Sequence, residues 1–99
     1  MNVNYYECHI TIEPVFEQRL EELKLIAKYY GFKPAKLLMQ KRKEDKPEHS
    51  NKDTFCTRQS TNLEILEDAM KYFLKDLTKR NFKVWRAKIE AVIYDEKFV

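Results

Sequence analysis

The strongest constraint in this chain is the order in which its hydrophobic period changes. Tyr5–Ile12 alternates with a period of two: Tyr6, Cys8, Ile10 and Ile12 share one side, and Tyr5, Glu7, His9 and Thr11 share the other. That pattern predicts a strand with one buried face. From Pro14 onward the period lengthens. Phe16, Leu20, Leu23, Ala27 and Tyr30 recur at steps of three and four, with Glu17, Arg19, Glu21, Glu22 and Lys24 opposite them. This predicts an amphipathic helix with Pro14 in its first turn. Gly31 stands where a left-handed C-terminal cap belongs, and Pro34 blocks continuation.

Ala35–Lys43 reads as a second strand, with Leu37 and Met39 inward. Arg42–Lys52 carries no apolar residue and reads as a flexible charged loop over 42–52. Asp53–Ser60 predicts a third strand whose phase is ambiguous, since Phe55 argues for one buried face and Cys56 for the other. Phe55 packed is the favoured phase, which turns Thr54, Cys56 and Arg58 toward the opposite face. A second helix begins at Thr61-Asn62-Leu63-Glu64, which has the form of a capping box. Its apolar stripe is Leu63, Leu66, Met70, Phe73 and Leu77, and Asn81 is a reasonable stop. The last run, Phe82–Tyr94, alternates again. Trp85, Ala87, Ile89, Ala91 and Ile93 would face inward, and Val84, Arg86, Lys88, Glu90 and Val92 outward. Residues 95–99 read as a C-terminal tail.

Strand, helix, strand, strand, helix, strand predicts an α+β chain: a ferredoxin-like βαββαβ sandwich. Its four-stranded antiparallel sheet has strand order 4-1-3-2, with two helices on one face. Ninety-nine residues suit one domain, 1–99. With 43% hydrophobic residues the chain has enough apolar material for a core. No apolar run approaches the ~18 residues of a membrane span, and no signal-peptide pattern opens the chain. A cytoplasmic protein without membrane association is expected. Cys8 and Cys56 are too few and too far apart for a disulfide framework or a zinc site, so neither metal nor cofactor is expected. One glycine also leaves no phosphate-cradling loop.

The uncovered face of such a sheet carries the candidate site. With strand one between strands three and four, Glu7, His9 and Thr11 lie beside Arg86, Lys88 and Glu90, with Arg58 a further candidate. His9 is the candidate acid/base group, with Glu90 or Glu7 to orient it or to pair with Lys88. Arg86 and Lys88 would bind an anion, and Glu7, Thr11 and Arg58 complete the ligand-binding set. An exposed sheet needs polar side chains in any case, so these residues define a surface before they define a reaction. Tyr5, Val84, Val92 and Tyr94 give the face enough apolar area to meet a second copy. Two roles follow: a small interaction module, as a homodimer through the sheet face, or a small enzyme or ligand-binding protein for a phosphate-bearing anion.

His9-Ile10-Thr11 resembles one H-x-T motif of the two-histidine phosphoesterases. In that family paired motifs face each other across a cleft and act on cyclic or 2′,3′-type phosphates. The resemblance covers three residues and implies an acid/base role for His9. The second motif has no strand counterpart, because His49 falls in the charged loop. Nucleic-acid binding is not expected. The net charge is only +3 with signs well mixed, and Asn51–Arg58 lacks the basic-aromatic pattern of RNA-recognition strands. Cys56 facing His9 would make a nucleophile–base pair, but a strand cysteine most simply packs.

Overall fold

The computed structural model describes residues 3–34 and 55–93. The predicted loop over 42–52, the run from Ala35 and the tail over 95–99 lie outside them. In chain order the elements are β1 (Tyr5–Ile12), α1 (Glu17–Tyr29), β2 (Lys33–Pro34), β3 (Phe55–Ser60), α2 (Leu63–Lys79) and β4 (Val84–Val92). The four strands form one antiparallel sheet in the order β2-β3-β1-β4. Read from the other edge, the same sheet runs β4-β1-β3-β2.

Cys8, Ile10 and Ile12 are fully buried, and they share one hydrophobic cluster with Leu23, Ile26 and Ala27 of α1 and Leu66, Phe73 and Leu77 of α2. Both helices therefore cover the same face of the sheet. Phe73 sits at the centre, stacked at a tilt on Phe32 with ring centroids 4.6 Å apart.

The two helices end in the same way. After α1, Gly31 adopts φ +77°, Phe32 N–H donates to Ala27 O at 2.8 Å and Gly31 N–H to Lys28 O at 3.0 Å. After α2, Asn81 adopts φ 64°, Phe82 N–H donates to Leu77 O at 2.9 Å and Asn81 N–H to Thr78 O at 3.1 Å. Both are Schellman motifs, and each places a phenylalanine in the core just past the helix. Arg19 of α1 binds the second of these ends, donating to Arg80 O at 3.1 Å and Asn81 O at 3.0 Å with its guanidinium over the Phe82 ring.

Helix starts differ from the expectations. Helix α1 begins at Glu17, so Pro14 precedes it, and Val15 rather than Phe16 is buried. Phe16 is the N-cap, exposed, with no side-chain oxygen to accept a helix N–H, and Glu17 carries a positive φ of 52°. At α2 the cap is Asn62, one residue later than the capping box required. Its Oδ1 accepts from Ile65 N–H at 3.0 Å, and Leu63 is left outside the core stripe, where Ala69 is buried instead.

Two strand phases also differ. Cys56 is fully buried against the helices, so Cys56 and Arg58 face the helix layer and Thr57 and Gln59 the open face. In β4 a bulge falls between its pairings with Thr11 and Ile12: Thr11 opposes Arg86, Ile12 opposes Val84, and Trp85 is the extra residue. Val84 thus packs against the core and Trp85, 38% exposed, does not, the reverse of the alternation read from the sequence. Ala87 and Ala91 stay exposed on this edge strand and are not points of close helix approach.

Two substitutions test the helix ends. Gly31→Ala forces a side chain into left-handed backbone and brings its Cβ within 3.2 Å of the Arg58 guanidinium. It should destabilise by about 1–2 kcal/mol in urea unfolding. Phe16→Ser supplies the missing cap oxygen and should stabilise by about 1 kcal/mol in the same measurement.

Candidate functional site

Antiparallel pairing places directly opposed residues on the same face, so register defines the rows of the uncovered surface. One row runs Lys33, Thr57, His9, Lys88 across β2, β3, β1 and β4. The adjacent row runs Gln59, Glu7, Glu90, and beyond the first row Thr11 opposes Arg86.

Hydrogen bonds connect these rows. His9 Nε2 lies 2.6 Å from Glu7 Oε1, and Thr57 Oγ1 lies 3.2 Å from His9 Nδ1. Gln59 Nε2 donates to the other Glu7 oxygen, Oε2, at 2.7 Å. A carboxylate can only accept, so Nε2 must carry the proton. In the neutral ring Nδ1 is then an acceptor, and the Thr57 hydroxyl donates to it. The side chains of His9 and Glu7 are 20% and 22% exposed, which screens their contact less than at a fully solvated pair. Hydroxyl, imidazole and carboxylate thus stand in line, the arrangement in which an imidazole accepts a hydroxyl proton while a carboxylate holds the ring.

On the other side of His9 the charges are already partnered. Lys88 Nζ lies 2.5 Å from Glu90 Oε1. The Lys88 hydrogen bond, then its charge, holds the Glu90 carboxyl below the usual carboxylate range, with weaker help from His9 and Arg86. Arg86 is exposed, and its charge attracts Glu90 at longer range.

The expected site residues therefore separate. Glu7, His9, Thr11, Arg86, Lys88 and Glu90 do share the uncovered face, in adjoining rows. The carboxylate on the His9 ring is Glu7, whereas Glu90 is held by Lys88. Arg58 does not belong to this surface: it projects to the helix side, where Nη1 donates to Tyr30 O at 2.7 Å. Sequence reasoning missed Thr57 and Gln59 because it took the other phase of β3, and it missed Lys33 by starting the second strand two residues late. Cys56 was the available signal for the β3 phase, since a buried thiol requires its neighbours to face away.

Cys8 and Cys56 are free, buried thiols that burial pushes up to about 12, and both face away from His9. That removes Cys56 as a nucleophile for His9. Among the described residues no cluster of His, Cys, Asp and Glu has the makings of a metal site, and no helix is long and apolar enough to cross a membrane. Comparison with protein-family models, with curated proteins and with solved structures finds no match to this chain.

The Lys88–Glu90 contact has a pH signature. Glu90 has a lowered carboxyl pKa in the folded chain, so its contribution to stability is present above the usual carboxylate range. It is lost as pH falls through the lowered folded value. Lys88→Met should move the Glu90 titration, followed by carboxyl-carbon NMR, up toward the ordinary carboxylate value. An unmoved titration would show that Lys88 is not the cause.

Proposed function

We propose that this chain is a small ferredoxin-like binding module that engages its partner through the uncovered face of the sheet. The observation that supports this reading most directly is the hydrogen-bonded group of Gln59, Glu7, His9 and Thr57, held in one arrangement by cross-strand bonds on the face that the helices leave free. Side chains already ordered by their neighbours lose less conformational freedom on binding than free rotors do. Tyr5 and Val92, opposed and half-buried at one end of the face, add apolar area for a partner. A second copy of the chain is the partner favoured by this reading. The bulge at Trp85 has moved Val84 to the other side, so a dimer would rest more on the Lys88–Glu90 and Arg86 charges than on apolar contact.

A second reading draws on the Thr57–His9–Glu7 line: an enzyme for a phosphate-bearing anionic substrate, with His9 as acid/base and Arg86 and Lys88 as anion ligands. Proton transfer by a positioned imidazole contributes typically ~10²–10⁴-fold to a rate.

Two measurements separate the readings. Under the interface reading, the wild-type chain sediments as a dimer and Arg86→Glu shifts it to the monomer mass. Under the enzyme reading, the chain hydrolyses a phosphate ester such as p-nitrophenyl phosphate, and His9→Ala lowers that rate at least ~10²-fold while the fold survives. A monomer with no hydrolysis and no thermal response to phosphate esters would reject both.

A further inference from the structure

Strand β2 is only two residues long, Lys33–Pro34, and pairs β3 at Thr57 and Cys56. Past that point the outer edge of β3, at Arg58–Ser60, has no β2 residue opposite it. The space so left is a recess of about 500 Å³ lined by Gly31, Lys33, Thr57, Arg58 and Gln59. Its size lies within the roughly 300–1,000 Å³ typical of small-molecule sites.

Among the described residues the lining has one sign of charge. Lys33 and Arg58 contribute two cations, Thr57 and Gln59 are neutral, and no described acidic side chain lines it. Among the described residues no hydrogen bond or ion pair engages the Lys33 ammonium. Arg58 is held in place: Nη1 donates to Tyr30 O at 2.7 Å, and the guanidinium lies against Gly31, where a Cβ would come within 3.2 Å of Nη1 and 3.3 Å of Nε. Among the described residues this hydrogen bond occupies one of five guanidinium N–H groups, and the others can fork onto an oxyanion. The C-terminal end of α1 opposes an anion here with roughly half a negative charge, which two full cations outweigh. Glycine at 31 thus has a second role beside its backbone angle, since any side chain would displace the guanidinium.

From this lining we infer that the recess at the β2–β3 edge is a binding site for a doubly charged oxyanion of the phosphate-monoester type, with Lys33 and Arg58 as its cations. Thr57 and Gln59 line the recess, and their side chains bond His9 and Glu7, so the recess adjoins the imidazole row. The site deepens the phosphate reading given above but does not require catalysis, and it places the anion on different cations from Arg86 and Lys88.

The test is an NMR titration of the full chain with phenyl phosphate and with inorganic phosphate at constant ionic strength, using acetate as a singly charged control. Constant ionic strength keeps screening from imitating binding. Saturable amide shifts are expected at Gly31, Lys33 and Thr57–Gln59, with acetate at least tenfold weaker. Lys33→Glu, at an exposed position that leaves the core intact, should weaken phenyl phosphate at least tenfold. Arg58→Gln should do the same, with retention of the wild-type spectrum elsewhere as its check on folding. Binding without hydrolysis supports the site whether or not the enzyme reading holds, which keeps the two distinguishable. Shifts centred on Arg86 and Lys88, equal binding of acetate, or an unchanged affinity in Lys33→Glu would each overturn the assignment.

Discussion

Strand β1 is hydrogen-bonded along both edges, and the rest of the structure depends on that. A strand paired on both sides cannot slip its register without breaking two ladders, and a slip of one residue would exchange its faces. Cys8, Ile10 and Ile12 are fully buried under both helices, so such an exchange would put three apolar side chains into water and a histidine and glutamate into the core. Burying a Val- or Leu-sized side chain is worth about 1.5–3 kcal/mol, so the core side sets the register. The positions of Glu7 and His9 on the free side follow from it. Thr57, Gln59 and Lys88 acquire their places by pairing with this strand.

The helix layer is secured mainly at its C-terminal ends. Each helix closes through a left-handed residue followed by a buried phenylalanine, so the turn that satisfies the last carbonyls also fills the core. Side chains from elsewhere then bind these ends. Arg19 takes the carbonyls after α2, and Arg58 takes the one after α1. Between the helices, Tyr30 donates to Asp76 at 3.1 Å and Arg80 Nε donates to the same carboxylate at 2.8 Å. The Arg80 hydrogen bond comes first among the causes that hold Asp76 below its ordinary range. Desolvation raises the Tyr30 hydroxyl, and its own hydrogen bond to Asp76 raises it further. Exposed pairs of this kind add little stability singly, and here they orient two helices already packed on Phe73. Arg58 joins the end of α1 to the recess at the β2–β3 edge.

Much of the architecture was legible in the chain. The switch between periods of two and 3.6 predicted six elements, and the turn residue Gly31 marked one helix end correctly. The shared face of Glu7, His9, Thr11, Arg86, Lys88 and Glu90 followed from alternation plus the expected pairing. Errors arose where local signals competed. The phase of β3 was read from Phe55, the larger residue, whereas the buried Cys56 fixes it. Thr61 and Asn62 are both good caps, and only the packed position of α2 selects Asn62. In β4 the apolar phase shifts at the adjacent pair Val84-Trp85, from Phe82 and Val84 to Trp85, Ala87 and Ile89, and reading the run as one alternation passed over the bulge there.

The sequence by itself determined the element types, the apolar face of β1 and the existence of a polar surface opposite it, because those depend on periodicity along a single chain. Tertiary structure alone decided which charges meet on that surface. Glu7 rather than Glu90 holds the His9 ring, Lys88 is bound to Glu90, and Lys33 joins Thr57 and His9 in one row. It also decided that Arg58 lies across Gly31 and Trp85 stands outside the core. Those outcomes depend on the register between strands distant in sequence, which no window along the chain contains, and on where one extra residue enters a ladder.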